Sequence, residues 1–145
     1  MIKELLMAIE ERLKEVKELA YIDADWGQGD KQQPAVKFPT VLLAINREDV
    51  DEHLGVRSFV GKYELSVKLL MLTLNKENRY EVYDFIDKIK TTLHSKHIDG
   101  YFATYEGCQM YSREDGVKEC VMNFTVTVGT MKQERGRLVK FEVKG

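Results

Sequence analysis

Between residues 59 and 75 the chain carries a strand signal long enough to constrain everything around it. Phe59, Tyr63, Leu65, Val67 and Leu69 alternate with Lys62, Glu64, Ser66 and Lys68, the period-2 pattern of a strand with one buried face. From Leu69 onward the alternation gives way to Leu69, Leu70, Met71, Leu72 and Leu74, which puts apolar groups on both sides and predicts cover on both. At about 3.3 Å per residue, an unbroken strand of this extent would run roughly 50 Å, against a usual ~17–20 Å. It must bend, break or project past its own domain, and a projecting strand meets a partner. Leu70, Leu72 and Leu74 lie on the face that is polar earlier in the strand. They are candidate interface residues, and they predict a homo-oligomer.

Composition narrows the classes of partner. With 43% hydrophobic and 32% charged residues, the 145-residue chain suits one domain over 1–145 with a core that needs no staples. Its net charge of −2, from 22 basic and 24 acidic residues, sets up no field for non-specific binding of nucleic acid or an anionic membrane. The opening Met1-Ile2-Lys3-Glu4 interrupts its apolar character with charge, and no run approaches the length of a membrane span. A cytoplasmic protein is expected.

Cys108 and Cys120 flank Glu114-Asp115-Gly116, and Asp-Gly between apolar runs is a hairpin signal. With Asp115 and Gly116 as a two-residue turn, Phe124 faces Gly107, Val126 faces Tyr105, Val128 faces Ala103 and Cys120 opposes Tyr111. The two sulfurs then lie on opposite faces and cannot bond, whereas a three-residue loop would put them on one face. Buried free thiols are the expectation.

Elsewhere the chain reads as follows. Ile2, Leu5, Leu6, Ile9, Leu13 and Val16 form one stripe of a helix over residues 1–19, with Glu4, Glu10, Glu11, Lys14 and Glu18 opposite. That polar face mixes both signs, so the helix packs on a sheet and not on a membrane surface. Residues 20–26 form a short strand ending at Gly27. Residues 27–34 hold two glycines and a proline without a large apolar group, and the segment 27–38 is expected to be a mobile contact loop that orders on assembly, with Gln28 and Lys31 as candidate interface residues. Gly27-x-Gly29 lacks the third glycine of a dinucleotide loop, so no cofactor is assigned. Residues 40–45 read as an interior strand after Pro39. Glu48, Asp49, Asp51, Glu52 and His53 lack calcium-loop spacing and are assigned no metal.

Asn78 with Glu81 three residues on predicts the start of a second helix that stops before Asp99-Gly100, with Val82, Phe85, Ile86, Ile89 and Leu93 on one face. His94 and His97 near its end suit the helix dipole better than a metal, because no third ligand matches. The hairpin follows, then a glycine-bounded link over 129–136 and a last strand in the 130–145 tail. Five basic residues stand against two acidic ones there. That strand, with Val139 and Phe141 as candidate interface residues, is placed to add to a neighbour's sheet edge. The whole is α+β: a mainly antiparallel or mixed sheet with two helices packed on it.

In this layout the chain resembles the tail terminator, or tail completion, proteins of long-tailed bacteriophages and prophages, the minor tail protein U type. The resemblance lies in the opening Ile2-x-x-Leu5-Leu6-x-x-Ile9-x-x-x-Leu13 helix, the Phe38-Pro39-x-Val41-Leu42 strand entry, the strand over 63–74, the second helix ending in Leu93, and Phe124-x-Val126-x-Val128. It implies a structural virion assembly protein, made in the bacterial cytoplasm and carried in the virion tail. Such a protein forms a hexameric ring that ends tail-tube polymerisation, with the tail tube protein and the head–tail connector as partners. It implies no catalytic residues, and no nucleophile beside a base supports an enzyme. The alternative is a ferredoxin-like small-molecule or RNA binding module, suggested by the β-α-β-β run over 59–128 and by Tyr101, Tyr105 and Tyr111 on one side of a strand.

Overall fold

The computed structural model describes residues 2–30, 37–52, 59–72, 79–98, 100–129, 131–134 and 137–140. In chain order these form α1 (Ile2–Leu13), β1 (Tyr21–Ala24), β2 (Thr40–Glu52), β3 (Phe59–Leu72), α2 (Glu81–Leu93), β4 (Lys96–Ile98), β5 (Tyr101–Ser112), β6 (Val117–Gly129), β7 (Met131–Glu134) and β8 (Arg137–Lys140). Six strands make one mixed sheet in the order β1-β2-β3-β6-β5-β4, with β7 and β8 as a separate pair. Only β1 against β2 is parallel among the described pairings. The architecture is the α+β arrangement expected from the pattern of elements.

Strand β3 does sit at the centre. Its 14 residues run without a break, paired antiparallel with β2 from Phe59 to Leu70 and with β6 from Val60 to Leu72. The bending falls on its neighbours. One row crosses four strands as Ile45–Leu65–Phe124–Tyr105, and beside it both outer strands carry an extra residue, Asn46 in β2 and Glu106 in β5. Bulges kink a strand and raise its local twist, so the sheet curls along this one line while β3 and β6 pass straight through.

Both helices lie on one face. Leu5, Ile9 and Leu13 of α1 and Val82, Phe85, Ile89 and Leu93 of α2 pack over Val41, Leu43, Leu65, Val67, Leu69, Met122, Phe124 and Val126. Each such side chain contributes about 1.5–3 kcal/mol on burial. Tyr105 meets Phe124 edge-on with ring centroids 5.4 Å apart. The first helix is shorter than its stripe suggested. After Leu13 the chain rewinds through i→i+3 bonds, Val16 N–H to Leu13 and Leu19 N–H to Val16, which keep Val16 buried while turning the chain toward β1.

Three local expectations are corrected. The β5–β6 turn has three loop residues, Glu114-Asp115-Gly116: Arg113 N–H bonds Val117 O at 3.0 Å, Gly116 N–H bonds Arg113 O, and Gly116 takes φ +83°. Cys120 therefore faces Met110, Val126 faces Ala103, and the bulge at Glu106 sets Phe124 opposite Tyr105. Cys108 and Cys120 share the helix-covered face as free thiols. Next, α2 stops at Leu93, before Asp99-Gly100 as expected, but the chain then enters β4, a strand that was not expected. His94 is extended, Ser95 takes φ +55° and donates its N–H to Ala103 O, and His94 Nδ1 accepts the Tyr105 N–H at 3.0 Å. His94 thus continues the β4–β5 ladder past the end of β4, and His97 packs on Phe102 with centroids 5.0 Å apart. Finally, the 129–136 link is largely β7, which pairs with β8 in its own chain. At the start of α2, Tyr80 holds the N-cap position without a side-chain bond, while Asn78 lies outside the described residues.

Gly107, directly after the bulge, has φ +150°, yet a β-carbon built there meets nothing within 4 Å. Its requirement is conformational and not steric. Gly107→Ala should lower stability by about 1–3 kcal/mol without an added clash, measured by denaturant melting. An unchanged midpoint would show that the bulge tolerates a side chain.

Candidate functional site

The face away from the helices is closed at one end by the segment after β1. Leu42, Leu70 and Val117 form a second buried cluster with Tyr21 and Phe38 packed against it. Gly29 lies directly on top: a β-carbon there would fall 2.4 Å from Leu70 Cδ1 and 3.1 Å from Leu42 Cδ1. Only glycine lets the backbone come this close. The turn is tied internally, with Gln28 Nε2 donating to Ala24 O and Gln28 Oε1 accepting the Trp26 N–H, and Gln28 is 5% exposed.

Two cations latch the turn from below. Lys68 lies 3.2 Å from Asp25, 3.4 Å from Asp30 and 3.8 Å from Glu119. Burial alone would pull its pKa down, but the hydrogen bond and charge of Asp25, with Glu119 and Asp30, hold it above the ordinary lysine value. Arg113, from the β5–β6 turn, donates to Gly29 O and pairs with Asp115 at 2.8 Å. The buried aliphatics, at about 1.5–3 kcal/mol each, outweigh the half-exposed Asp30 pair at about 0–1 kcal/mol. Apolar burial holds the turn down and the charges set its position.

The seven candidate residues separate accordingly. Leu70 is fully buried, and its cover comes from its own chain; Gln28 is spent on its own turn. Residues 27–30, expected to order only on assembly, are part of the fold. Leu72 is 37% exposed at the end of β3. Leu74, Lys31 and Phe141 lie outside the described residues, and Val139 falls in β8. Trp26, absent from that set, projects from the latched turn at 71% exposure. Its position in an alternating apolar run gave no sign that it points outward.

The remaining surfaces are sheet edges. Strand β1 covers β2 only from Thr40 to Leu43, and β4 covers β5 only from Tyr101 to Ala103. Tyr101 and Tyr105 face the helices, and the bulge moves Tyr111 to the other face, so no row of three tyrosines forms a stacking platform. Among the described residues, no three His, Cys, Asp or Glu side chains gather as metal ligands, and no helix is long and apolar enough to cross a membrane.

No family model and no curated protein matches the sequence. Among solved structures, the fold matches a chain described as "Virion of native gene transfer agent (GTA) particle", with a TM-score of 0.56 and 12% identity, covering 86% of this chain and 94% of that one. At this identity the match shows a shared fold, over nearly the whole length of both chains.

One prediction comes from the latch and a second from the latch lysine together with the buried Cys120 thiol on the helix-covered face. Gly29→Ala should cost about 1–3 kcal/mol through overpacking against Leu70 and make residues 25–30 a site of early proteolysis; retained melting and protection would refute the close approach. Stability should also fall at alkaline pH. Burial pushes Cys120 from 9.0 up to about 12, and Lys68 is likewise raised. A group whose folded pKa is raised stabilises below its unfolded pKa and loses that contribution as pH climbs to the folded one. The thiol term is therefore lost between pH 9 and about 12, and the lysine term from about 10.4 upward. Melting against pH checks this, with Cys120→Ala flattening the earlier part.

Proposed function

We propose that this chain is a structural protein of a phage or phage-like particle, acting by assembly and not by catalysis. The observation that carries this reading is the fold shared, across 86% of the chain, with a chain of a gene transfer agent virion. The finer role we infer is that of a tail terminator. In this role copies of the chain close into a hexameric ring that ends tail-tube polymerisation and offers its other side to the head–tail connector. The tail tube protein and the connector protein are then its partners, the host cytoplasm its place of assembly and the virion tail its destination.

Three features support that role. The chain resembles tail terminators in its sequence layout, it leaves open sheet edges on both sides, and it displays Trp26, Tyr80, Tyr83 and Tyr111 on its surface, residue types that anchor protein interfaces. The β-α-β-β run of the ferredoxin-like alternative is present as β3, α2, β5 and β6, with β6 lying between β3 and β5, but its RNA-binding form loses its stacking row because the tyrosines are divided between two faces.

Negative-stain images of the purified protein test this reading. Rings with a central hole, and a mass by light scattering that rises with concentration or on addition of tail tubes, are the expected result. A monomer at every concentration, with and without tubes, would overturn it.

A further inference from the structure

The two sheet edges are each half covered, and on opposite halves. The row Ala44–Ser66–Asn123–Gly107 divides the sheet. On the side toward Thr40, β1 covers β2 while β5 is open through Ser112; on the other side, β4 covers β5 while β2 is open through Glu52. His94 and Ser95 extend the cover of β5 as far as Tyr105, and the Asp25 N–H extends that of β2 only to Leu43 O. Each edge thus presents an open run of similar length, 44–52 in β2 and 106–112 in β5, with no strand beside it among the described residues.

We propose that these two runs pair with each other between copies, the open half of β2 in one subunit lying antiparallel against the open half of β5 in the next. This rests on the ring reading above and specifies its lateral contact. Direction allows it: β3 is antiparallel to β2 and to β6, and β6 is antiparallel to β5, so β2 and β5 run oppositely within one sheet. A neighbour placed edge to edge in the same sheet sense therefore meets β2 antiparallel. The contact joins unlike surfaces, and a repeated contact of that kind closes into a ring or continues as a filament. Because the open halves lie on opposite sides of the dividing row, successive copies are offset along the strands. Strands inclined to the ring axis, as closure of a sheet requires, accommodate that offset.

Charge favours the same pairing. The open run of β2 holds Glu48, Asp49, Asp51 and Glu52 against Arg47. Beside the open run of β5, exposed Lys90 lies 4.9 Å over the Tyr105 ring, and Lys96 opens β4. In the offset arrangement the acidic end of β2 arrives beside Lys90 and Lys96 of its neighbour, with Glu106 and Asp87 the acidic groups at the same corner. A second copy supplies both the unpaired main chain and the opposite charge.

The test is disulfide trapping in full-length protein with Cys108→Ser and Cys120→Ala, after melting confirms that this background folds. Arg47→Cys and Gln109→Cys are made singly and together, then oxidised under the conditions used for imaging. The pairing predicts that the double variant runs as a covalent ladder ending at the ring's subunit number. It predicts that an equal mixture of the two single variants gives dimers only, and that each single variant alone gives none. Rings that form without a ladder, or a single variant that links to itself, would overturn the edge pairing and leave the ring reading standing. A protein that remains monomeric in every condition would overturn both.

Discussion

The central strand is paired on both edges, covered by the helices on one face and covered again on the other face at Leu70, and the rest of the molecule is arranged to do this. Strand β3 pairs with β2 from Phe59 to Leu70 and with β6 from Val60 to Leu72, and its helix-side residues are sealed by α1 and α2. Its other face changes from polar to apolar at Leu70. That leucine would leave a large exposed hydrophobe were it not for the Gly29 backbone pressed on its methyl group. The sequence between β1 and β2 therefore has to return across the sheet, and its missing side chain, internal glutamine bonds and acidic residues above Lys68 all serve that one closure.

Closing this face intramolecularly moves the burden of assembly elsewhere. What remains open among the described residues is main chain along parts of two edges and several large side chains, among them Trp26 on the latched turn, Leu72 where β3 ends, Tyr80 and Tyr83 at the start of α2, and Tyr111 in β5. Open edges invite uncontrolled pairing. Here β1 and β4 each shield part of an edge, and the acidic β2 run repels its own kind. These devices disfavour contact between like edges and leave contact between unlike edges permitted, which gives a selective joint instead of a general tendency to aggregate.

Much of the architecture was legible because period-2 and period-3.6 patterns report burial directly. The strand from Phe59, the stripe through Leu5, Ile9 and Leu13, and the face through Val82, Phe85, Ile89 and Leu93 are all stated by spacing alone. Features decided by a single hydrogen bond were not. Whether Asp115-Gly116 or Glu114-Asp115-Gly116 makes the turn changes every partner in the hairpin, and local residue type admits both. Strand β4 has only three residues and exists because β5 offers an edge and His94 offers an acceptor, neither of which is visible nearby in the sequence. Residues 27–30 looked mobile because they lack large apolar groups, yet it is that lack which lets Gly29 reach Leu70. Leu70 and Gln28 were read as interface residues, but both are buried inside their own chain, Leu70 in the second cluster and Gln28 in its own turn.

The apolar end of β3 is covered by the chain's own turn before any partner arrives. Amide hydrogen exchange on dilute protein, at a concentration where light scattering gives a monomer, tests it most directly. The prediction is slowed exchange at Gly27 and Asp30, whose N–H groups bond Asp25 Oδ1 and Gly27 O, and at the β3 amides around Leu70. Free exchange of residues 27–30 in the monomer, with protection appearing only on assembly, would contradict it and return that turn to the role of a contact loop.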